Sequence, residues 1–230
     1  MMRGAFVTGT DTEVGKTFAS TVLIAALRER GLRVFPFKPV AAGATQVGAR
    51  WINEDTQALI AAAGLDPAES GNVTPVLLRE PMAPHIAAMR EGVRIDLRVL
   101  HAAYLRGAAD SDFSVVEGVG GFCVPLDDRH DTVDLAREIA LPVVLVVGMR
   151  LGCLNHALLT ARAIRAAGLP LAGWIANELH PAMNGLDENI ATLERRVEAP
   201  LLGRLPWSPR STPQALASRL DVRPLLGLAR

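Results

Sequence analysis

The sequence predicts an α/β protein built on a doubly wound, mostly parallel sheet flanked by helices. Short apolar runs, often β-branched, alternate with longer segments of helical period, which is the pattern of repeated βα units. A glycine-rich turn, GTDTEVGKT at Gly9–Thr17, stands directly after the first such run and directly before the first helical segment. The 230 residues are 50% hydrophobic and 21% charged, which suffices for one core of this kind, so residues 1–230 are expected to form a single domain.

The first strand is expected at Ala5–Thr8. A helix over Lys16–Arg30 follows, because Ala19, Val22, Leu23, Ala26 and Leu27 recur at helical spacing and Gly31 stands where a left-handed residue ends a helix. Further strands are expected at Arg33–Phe37, Ser114–Glu117, Pro142–Val147, Leu171–Ala176 and Leu202–Leu205, giving a sheet of about six. Helices are expected at Asp55–Ala63, Leu97–Ala108, Thr132–Ile139, Leu154–Ala167 and Asp187–Val197. Gly168 and Pro170 stop the one before them. Pro67–Val93 lacks a strong period and holds Pro75, Pro81 and Pro84, so it reads as a long connection lying near the site. No internal repeat or linker is visible.

Acidic and basic residues balance at 24 each, so no global field favours nucleic acid or an anionic membrane; the expected partner is a small molecule. The N-terminal apolar run, Gly4–Val7, is too short for a signal peptide, and Ile139–Met149 is broken by Pro142 and Gly148 and is too short to span a bilayer. A cytoplasmic location is expected. Cys123 and Cys153 form neither a disulfide framework nor a metal cluster and read as buried, reduced thiols.

Lysine use is more informative than net charge. Lys16 and Lys38 are the two lysines among 24 basic residues, so arginine serves nearly everywhere that a solvated cation suffices. Lysine presents a compact charge that fits between phosphate oxygens or into a tight reacting site, where the planar guanidinium is bulkier.

Lys16 closes the Gly9–Thr17 turn. Between a strand and a helix such a turn is a phosphate loop: its amides and the helix N-terminus cradle phosphate, Lys16 neutralises the outer phosphates, and the Thr17 hydroxyl coordinates magnesium. Five residues separate Gly9 from Gly15, one more than in the common pattern. The expected domain therefore binds a phosphorylated ligand. Lys38, in FKPVAAG at Phe37–Gly43, ends the second expected strand, where ligands of open α/β sheets gather; a solvated surface role is the alternative.

In VVEGVGG, Glu117 ends an apolar strand at a place that suits magnesium, and Gly118, Gly120 and Gly121 let the backbone approach a ligand. Asp55, in NEDTQAL, is a second acidic candidate, with helix capping as a compatible role. LGCLNHALLTARA at Leu151–Ala163 opens a helix whose free amides, with Asn155 as a possible cap, would attract an anion such as a substrate carboxylate; His156 reads as packed rather than catalytic. Asn177 and the Leu205-Pro206-Trp207 turn end strands and are candidates to border a nucleotide base, although packing alone also explains Trp207.

TGTDTEVGKT, KPVAAG, PHIA, VEGVGG, LGCLNHALLTA, GWIAN and APLLGRLPW, in that order along nearly the whole chain, resemble the signatures of the dethiobiotin synthetase family. The resemblance implies ATP- and magnesium-dependent closure of 7,8-diaminononanoate with CO2 to dethiobiotin, through a carbamate and a carbamic-phosphoric anhydride. It implies that Lys16 and Lys38 stabilise the transferring phosphoryl group and the carbamate, that Thr12 bonds the carbamate, and that Thr17, Asp55 and Glu117 hold magnesium. Its nucleotide contacts fall on Glu13, Val14, Gly15, Lys16 and Thr17, on Gly118, Val119 and Gly120, on Asn177, and on Pro206, Trp207 and Ser208. It further implies a homodimer with shared active sites, in which the turn carrying Gly152, Cys153 and Asn155 serves the partner's substrate. One departure is Ala42, where the family often has a hydroxyl residue that binds substrate; a water or the Ala41 and Ala42 backbone is left to substitute. The tail from Ser208 onward matches poorly.

The alternative function is a switch ATPase of the partitioning or cell-division type, whose loop carries an extra early lysine; Gly9-Thr10-Asp11-Thr12 has none, and no basic or amphipathic tail is present for DNA or membrane. An amidating ligase of corrin biosynthesis would need an added glutamine-hydrolysing domain. A non-catalytic binding module explains neither lysine.

Overall fold

The computed structural model describes residues 3–227. The chain opens with β1 (Gly4–Gly9), α1 (Lys16–Arg28) and β2 (Val34–Phe37), followed by the short strands β3 (Val40–Ala42), β4 (Thr45–Val47) and β5 (Arg50–Ile52). Then come α2 (Glu54–Ala63), a 3-10 turn at Pro67–Glu69, α3 (Ser70–Val73), β6 (Val76–Leu78) and α4 (Pro84–Glu91). The remainder alternates: α5 (Leu97–Ala108), β7 (Phe113–Glu117), α6 (Thr132–Ile139), β8 (Val143–Met149), α7 (Cys153–Ala166), β9 (Leu171–Glu178), α8 (Leu186–Arg196) and β10 (Leu201–Leu205). Two short helices, α9 (Pro213–Leu216) and α10 (Arg223–Gly227), complete it.

Six parallel strands form the main sheet in the order β10-β9-β8-β1-β7-β2. These strands read as continuous apolar runs because both faces of the sheet are covered. Along β1, Phe6 enters one core with Tyr104 of α5, Leu135 of α6, Ile164 of α7 and Leu193 of α8. Its neighbours Ala5 and Val7 enter the opposite core with Leu23 and Leu27 of α1, Leu59 of α2 and Leu216, Leu220 and Leu225 of the tail. β1 lies between β7 and β8, so the loops after β1 and β7 meet at the carboxyl edge, where this class of sheet binds ligands.

The six main strands and six expected helices lie within two residues of their anticipated ends. Gly31, Gly64 and Gly168, at φ 80°, 68° and 77°, follow α1, α2 and α7. The Pro67–Val93 region is not a plain connection. β6 pairs in parallel with β3, and α4 begins at Pro84, the position where proline's fixed φ and missing amide are tolerated. β4 and β5 form an exposed antiparallel hairpin. Strands of three residues are too short for a periodic signal.

Three local expectations are corrected. Asn53, not Asp55, caps α2 and accepts the Thr56 amide. Gly152, at φ 93°, is the residue preceding α7, and Asn155 lies exposed inside the first turn without a capping bond. Cys123 is exposed, whereas Cys153 is buried. Among the described residues no helix is long and apolar enough to cross a membrane.

Candidate active site

The loop after β1 turns inward through two left-handed residues, Glu13 at φ 59° and Gly15 at φ 80°. Successive amides in such a turn point toward one concave side and form an anion nest. Among the described residues the amides of residues 13–17 have no protein acceptor, and α1 starts without a side-chain cap. This row of donors at the start of a 13-residue helix is suited to phosphate. Gly15 is required by space as well as by φ: a Cβ there would stand 2.1 Å from the Asn177 amide nitrogen. That nitrogen donates to the Val14 carbonyl at 2.9 Å, so Asn177 at the end of β9 braces the loop. A Cβ on Gly9 would meet Val14 at 2.6 Å and Lys16 at 2.9 Å.

Lys16 is buried, and its ammonium donates to the Asp11 carbonyl at 2.9 Å. Burial, opposed by Glu117, pushes its pKa down to about 8. Facing it, Lys38 leaves the end of β2 with 3% of its surface exposed and donates to Glu117 Oε1 and Asp55 Oδ2, both at 2.6 Å. Burial works against the Lys38 charge, but Glu117 and Asp55 outweigh it and hold the pKa above the ordinary lysine value. Burial likewise opposes the Asp55 charge, and the Lys38 ammonium outweighs it and holds the carboxyl below its usual range. Thr17 donates its hydroxyl hydrogen to the same Glu117 oxygen at 2.7 Å.

Two carboxylates and a hydroxyl thus converge around one ammonium, and the second oxygen of Glu117, on a fully buried side chain, has no partner. This donor set fits magnesium, a hard cation that takes one or two carboxylates and completes its shell with water and nucleotide phosphates. Thr17, Asp55 and Glu117 are the residues that would hold it. Among the described residues no group of three or more His, Cys, Asp or Glu offers an all-protein cage.

A cleft of about 690 Å³ lies over these groups. Of the anticipated residues, Thr12, Glu13, Gly15, Lys16, Thr17, Lys38, Ala42, Asp55, Val119 and Gly120 line it. Gly120 has φ 63°, and a Cβ there would press on Val124 at 3.0 Å and approach the Thr12 hydroxyl at 3.6 Å. Val14 is buried and Glu117 lies beneath Lys38. Gly118 continues the pairing with β1, its amide donating to Val7. Ala42 contributes a methyl group, and its carbonyl accepts a long 3.4 Å bond from Asn53.

The remaining candidates sit outside that cleft, on loops at the same carboxyl edge. Pro206, Trp207 and Ser208 follow β10; Trp207 is 46% exposed, so core packing does not account for it, and its ring is tilted against His180 at 6.3 Å. Gly152, Cys153 and Asn155 follow β8, beside a Leu151 that is 98% exposed.

Sequence reasoning missed the apolar wall of Pro81, Met82, Ala83 and Pro84 as lining residues, although PHIA had marked its edge. It also missed Arg150, which bonds Asp11 across the mouth of the loop. Arg150's position directly after the β8 run was the available signal.

The sheet order, the loop and its free amides define a nucleotide-binding protein of the phosphate-loop class. Residues 3–215 match a family described as an AAA domain. The ATP-dependent dethiobiotin synthetase BioD of Aromatoleum aromaticum is 53% identical over 220 residues, covering 96% of this chain and 97% of that protein. The chain belongs to the dethiobiotin synthetase family. Solved structures share the fold at low identity. The Aquifex aeolicus MinD cell division protein has a TM-score of 0.60 at 13% identity, covering 99% of this chain and 98% of that one. The septum site-determining protein MinD of Pyrococcus horikoshii, complexed with Mg-ADP, has a TM-score of 0.58 at 18% identity, covering 94% and 93%.

Proposed function

We propose that this chain is an ATP-dependent dethiobiotin synthetase that closes a ureido ring on 7,8-diaminononanoate with CO2. The observation that carries the reading is the row of free amides at residues 13–17 facing, across one cleft, a buried Lys38 bonded to two carboxylates. The amides and Lys16 bind the ATP phosphates, and the cleft leaves room for the diamine between the γ-phosphate and the Pro81–Pro84 wall.

One substrate amine captures CO2 as a carbamate and loses a proton. A carbamate oxygen attacks the γ-phosphorus, the bond to the bridging oxygen breaks, and ADP leaves a carbamic-phosphoric anhydride. The second amine then attacks the carbamoyl carbon, phosphate departs, a proton is lost and the ring closes. These steps need charge neutralisation and alignment rather than a protein nucleophile. Lys38 offsets the carbamate and the transferring phosphoryl group, Lys16 the phosphate oxygens, and the Thr12 hydroxyl orients the carbamate. Magnesium, when held by Thr17, Asp55 and Glu117, supplies further neutralisation of the phosphates.

The reading includes a homodimer. The free amides of Leu154 and Asn155 open α7 beside the exposed apolar Leu151, which supports a role for this turn in binding the substrate carboxylate of a neighbouring protomer. The test is incubation with 7,8-diaminononanoate, bicarbonate, magnesium and ATP, followed by mass spectrometry for the ureido product. Absence of diamine-dependent ADP formation sinks the assignment.

A further inference from the structure

We infer that Arg150 is a positioning residue for nucleotide binding: it neutralises the Asp11 carboxylate inside the phosphate loop and holds the loop open to anions. The inference rests on reading that loop as the ATP phosphate site. Asp11 is a hub. Its Oδ2 accepts from the Arg150 guanidinium at 2.5 Å, its Oδ1 accepts the Thr12 amide at 2.8 Å, and its carbonyl accepts the Lys16 ammonium at 2.9 Å.

A carboxylate at this place is electrostatically adverse, because it sits two residues before the row of free amides and would repel a polyphosphate arriving there. Arg150 supplies the opposing charge from the end of β8, 139 residues away in sequence. Arg150's own carbonyl accepts the Cys153 amide at 3.0 Å, so the main chain that carries this side chain is anchored to the turn that starts α7. Both side chains are exposed to a large degree, 40% for Arg150 and 48% for Asp11, and a pair of that kind adds little to folding stability. Its effect falls on the ligand and on the shape of the loop.

The experiment measures ATP affinity by calorimetry for the wild type, Arg150→Gln, Arg150→Lys, Asp11→Asn and the Arg150→Gln/Asp11→Asn double variant, at low and high salt. Arg150→Gln is expected to weaken ATP binding about tenfold at low salt, with the deficit shrinking at high salt as the exposed Asp11 charge is screened. Arg150→Lys should retain most of the affinity. The double variant should return to within about threefold of wild type, since removing the carboxylate removes what Arg150 compensates. Thermal midpoints of all variants should stay close to wild type.

Wild-type affinity in Arg150→Gln, or a double variant as weak as Arg150→Gln alone, overturns the inference; the latter would mean that Arg150 touches the nucleotide directly. A deficit accompanied by a large loss of thermal stability and independent of salt also overturns it. If wild type itself binds no ATP, the functional reading fails first; if wild type binds and only the variants misbehave, that reading stands.

Discussion

Lys38 Nζ lies 2.6 Å from Glu117 Oε1, with 4% of the lysine side chain and none of the glutamate side chain exposed. An ion pair this dry leaves a costly charge behind when one partner is removed. Asp55 and Thr17 bond into the same pair, so the ammonium stands among the groups that would hold magnesium. Lys38→Met should therefore lose roughly 3 kcal/mol of stability without a divalent cation. Millimolar magnesium should restore much of it while leaving the wild-type melting temperature nearly unchanged. An equal magnesium response in both proteins contradicts competition between the ammonium and the metal.

Lys38→Arg tests the lysine's chemical role separately. The charge is kept, but the planar fork cannot place one compact donor 2.6 Å from two carboxylates in the same space. Turnover should fall by about two orders of magnitude or more, whereas ATP affinity should stay within a few-fold. Single-turnover ADP formation and calorimetry separate the two, and near-normal turnover would refute the role.

Glu117→Gln keeps the shape and removes the charge. The magnesium concentration for half-maximal activity should rise about tenfold or more, with partial recovery at high magnesium. Melting measured alongside decides the matter: a large stability loss with unchanged magnesium dependence makes Glu117 a structural partner of Lys38 only.

The pH dependence of ATP binding should report Lys16. Burial brings its pKa to about 8 in the free protein, against 10.5 for an ordinary lysine. The unfolded chain binds more protons between those values, so this group's contribution to stability rises with pH across that window. A bound polyphosphate favours the charged form, so nucleotide binding takes up a proton there and affinity falls as pH rises above 8. Calorimetry in two buffers of different ionisation enthalpy should show net proton uptake at pH about 8.5 and almost none at about 6.5. No buffer dependence at either pH means that Lys16 does not face the phosphates.

The sheet and the loop were legible in the sequence because their signals are local. Strands covered on both faces read as unbroken apolar runs, and Gly9–Thr17 carries its strand, turn and helix within a few residues. Lys38, Asp55 and Glu117 were each visible at the end or start of an element, and the family resemblance grouped Asp55 and Glu117 with Thr17, but the direct bonds from Lys38 to both carboxylates left no sequence pattern. Other features depended on distant or subtle context. β3 and β6 have three residues each and exist through pairing across an intervening hairpin and helices. Pro84, read as a breaker, starts α4. The Asn53 cap displaced the expected Asp55 cap by two positions, which is what frees Asp55 to meet Lys38. The Arg150 and Asp11 contact joins residues 139 apart in sequence, so the pairing leaves no local pattern.

The proposed shared-site dimer yields the last prediction. The diamine carries its carboxylate at the far end of an apolar chain from its amines, and in the proposed reaction the phosphate loop and Lys38 would be engaged with ATP and the carbamate. The exposed first turn of α7, with the free amides of Leu154 and Asn155, offers a donor cluster for that carboxylate away from the cleft. Asn155→Leu should raise the apparent KM for the diamine much more than that for ATP, because it removes a donor confined to the carboxylate end. Mixing distinguishes a shared site from a site within one protomer. In a heterodimer of Lys38→Ala with Asn155→Leu, one site combines both defects, while the other pairs an intact Lys38 with an intact Asn155 from the partner. After full subunit exchange of equal amounts, half the dimers are mixed and each has one normal site, so activity should reach about a quarter of wild type per chain. A monomer by sedimentation at assay concentration, or no recovery above the separate variants after verified exchange, rules out the shared site.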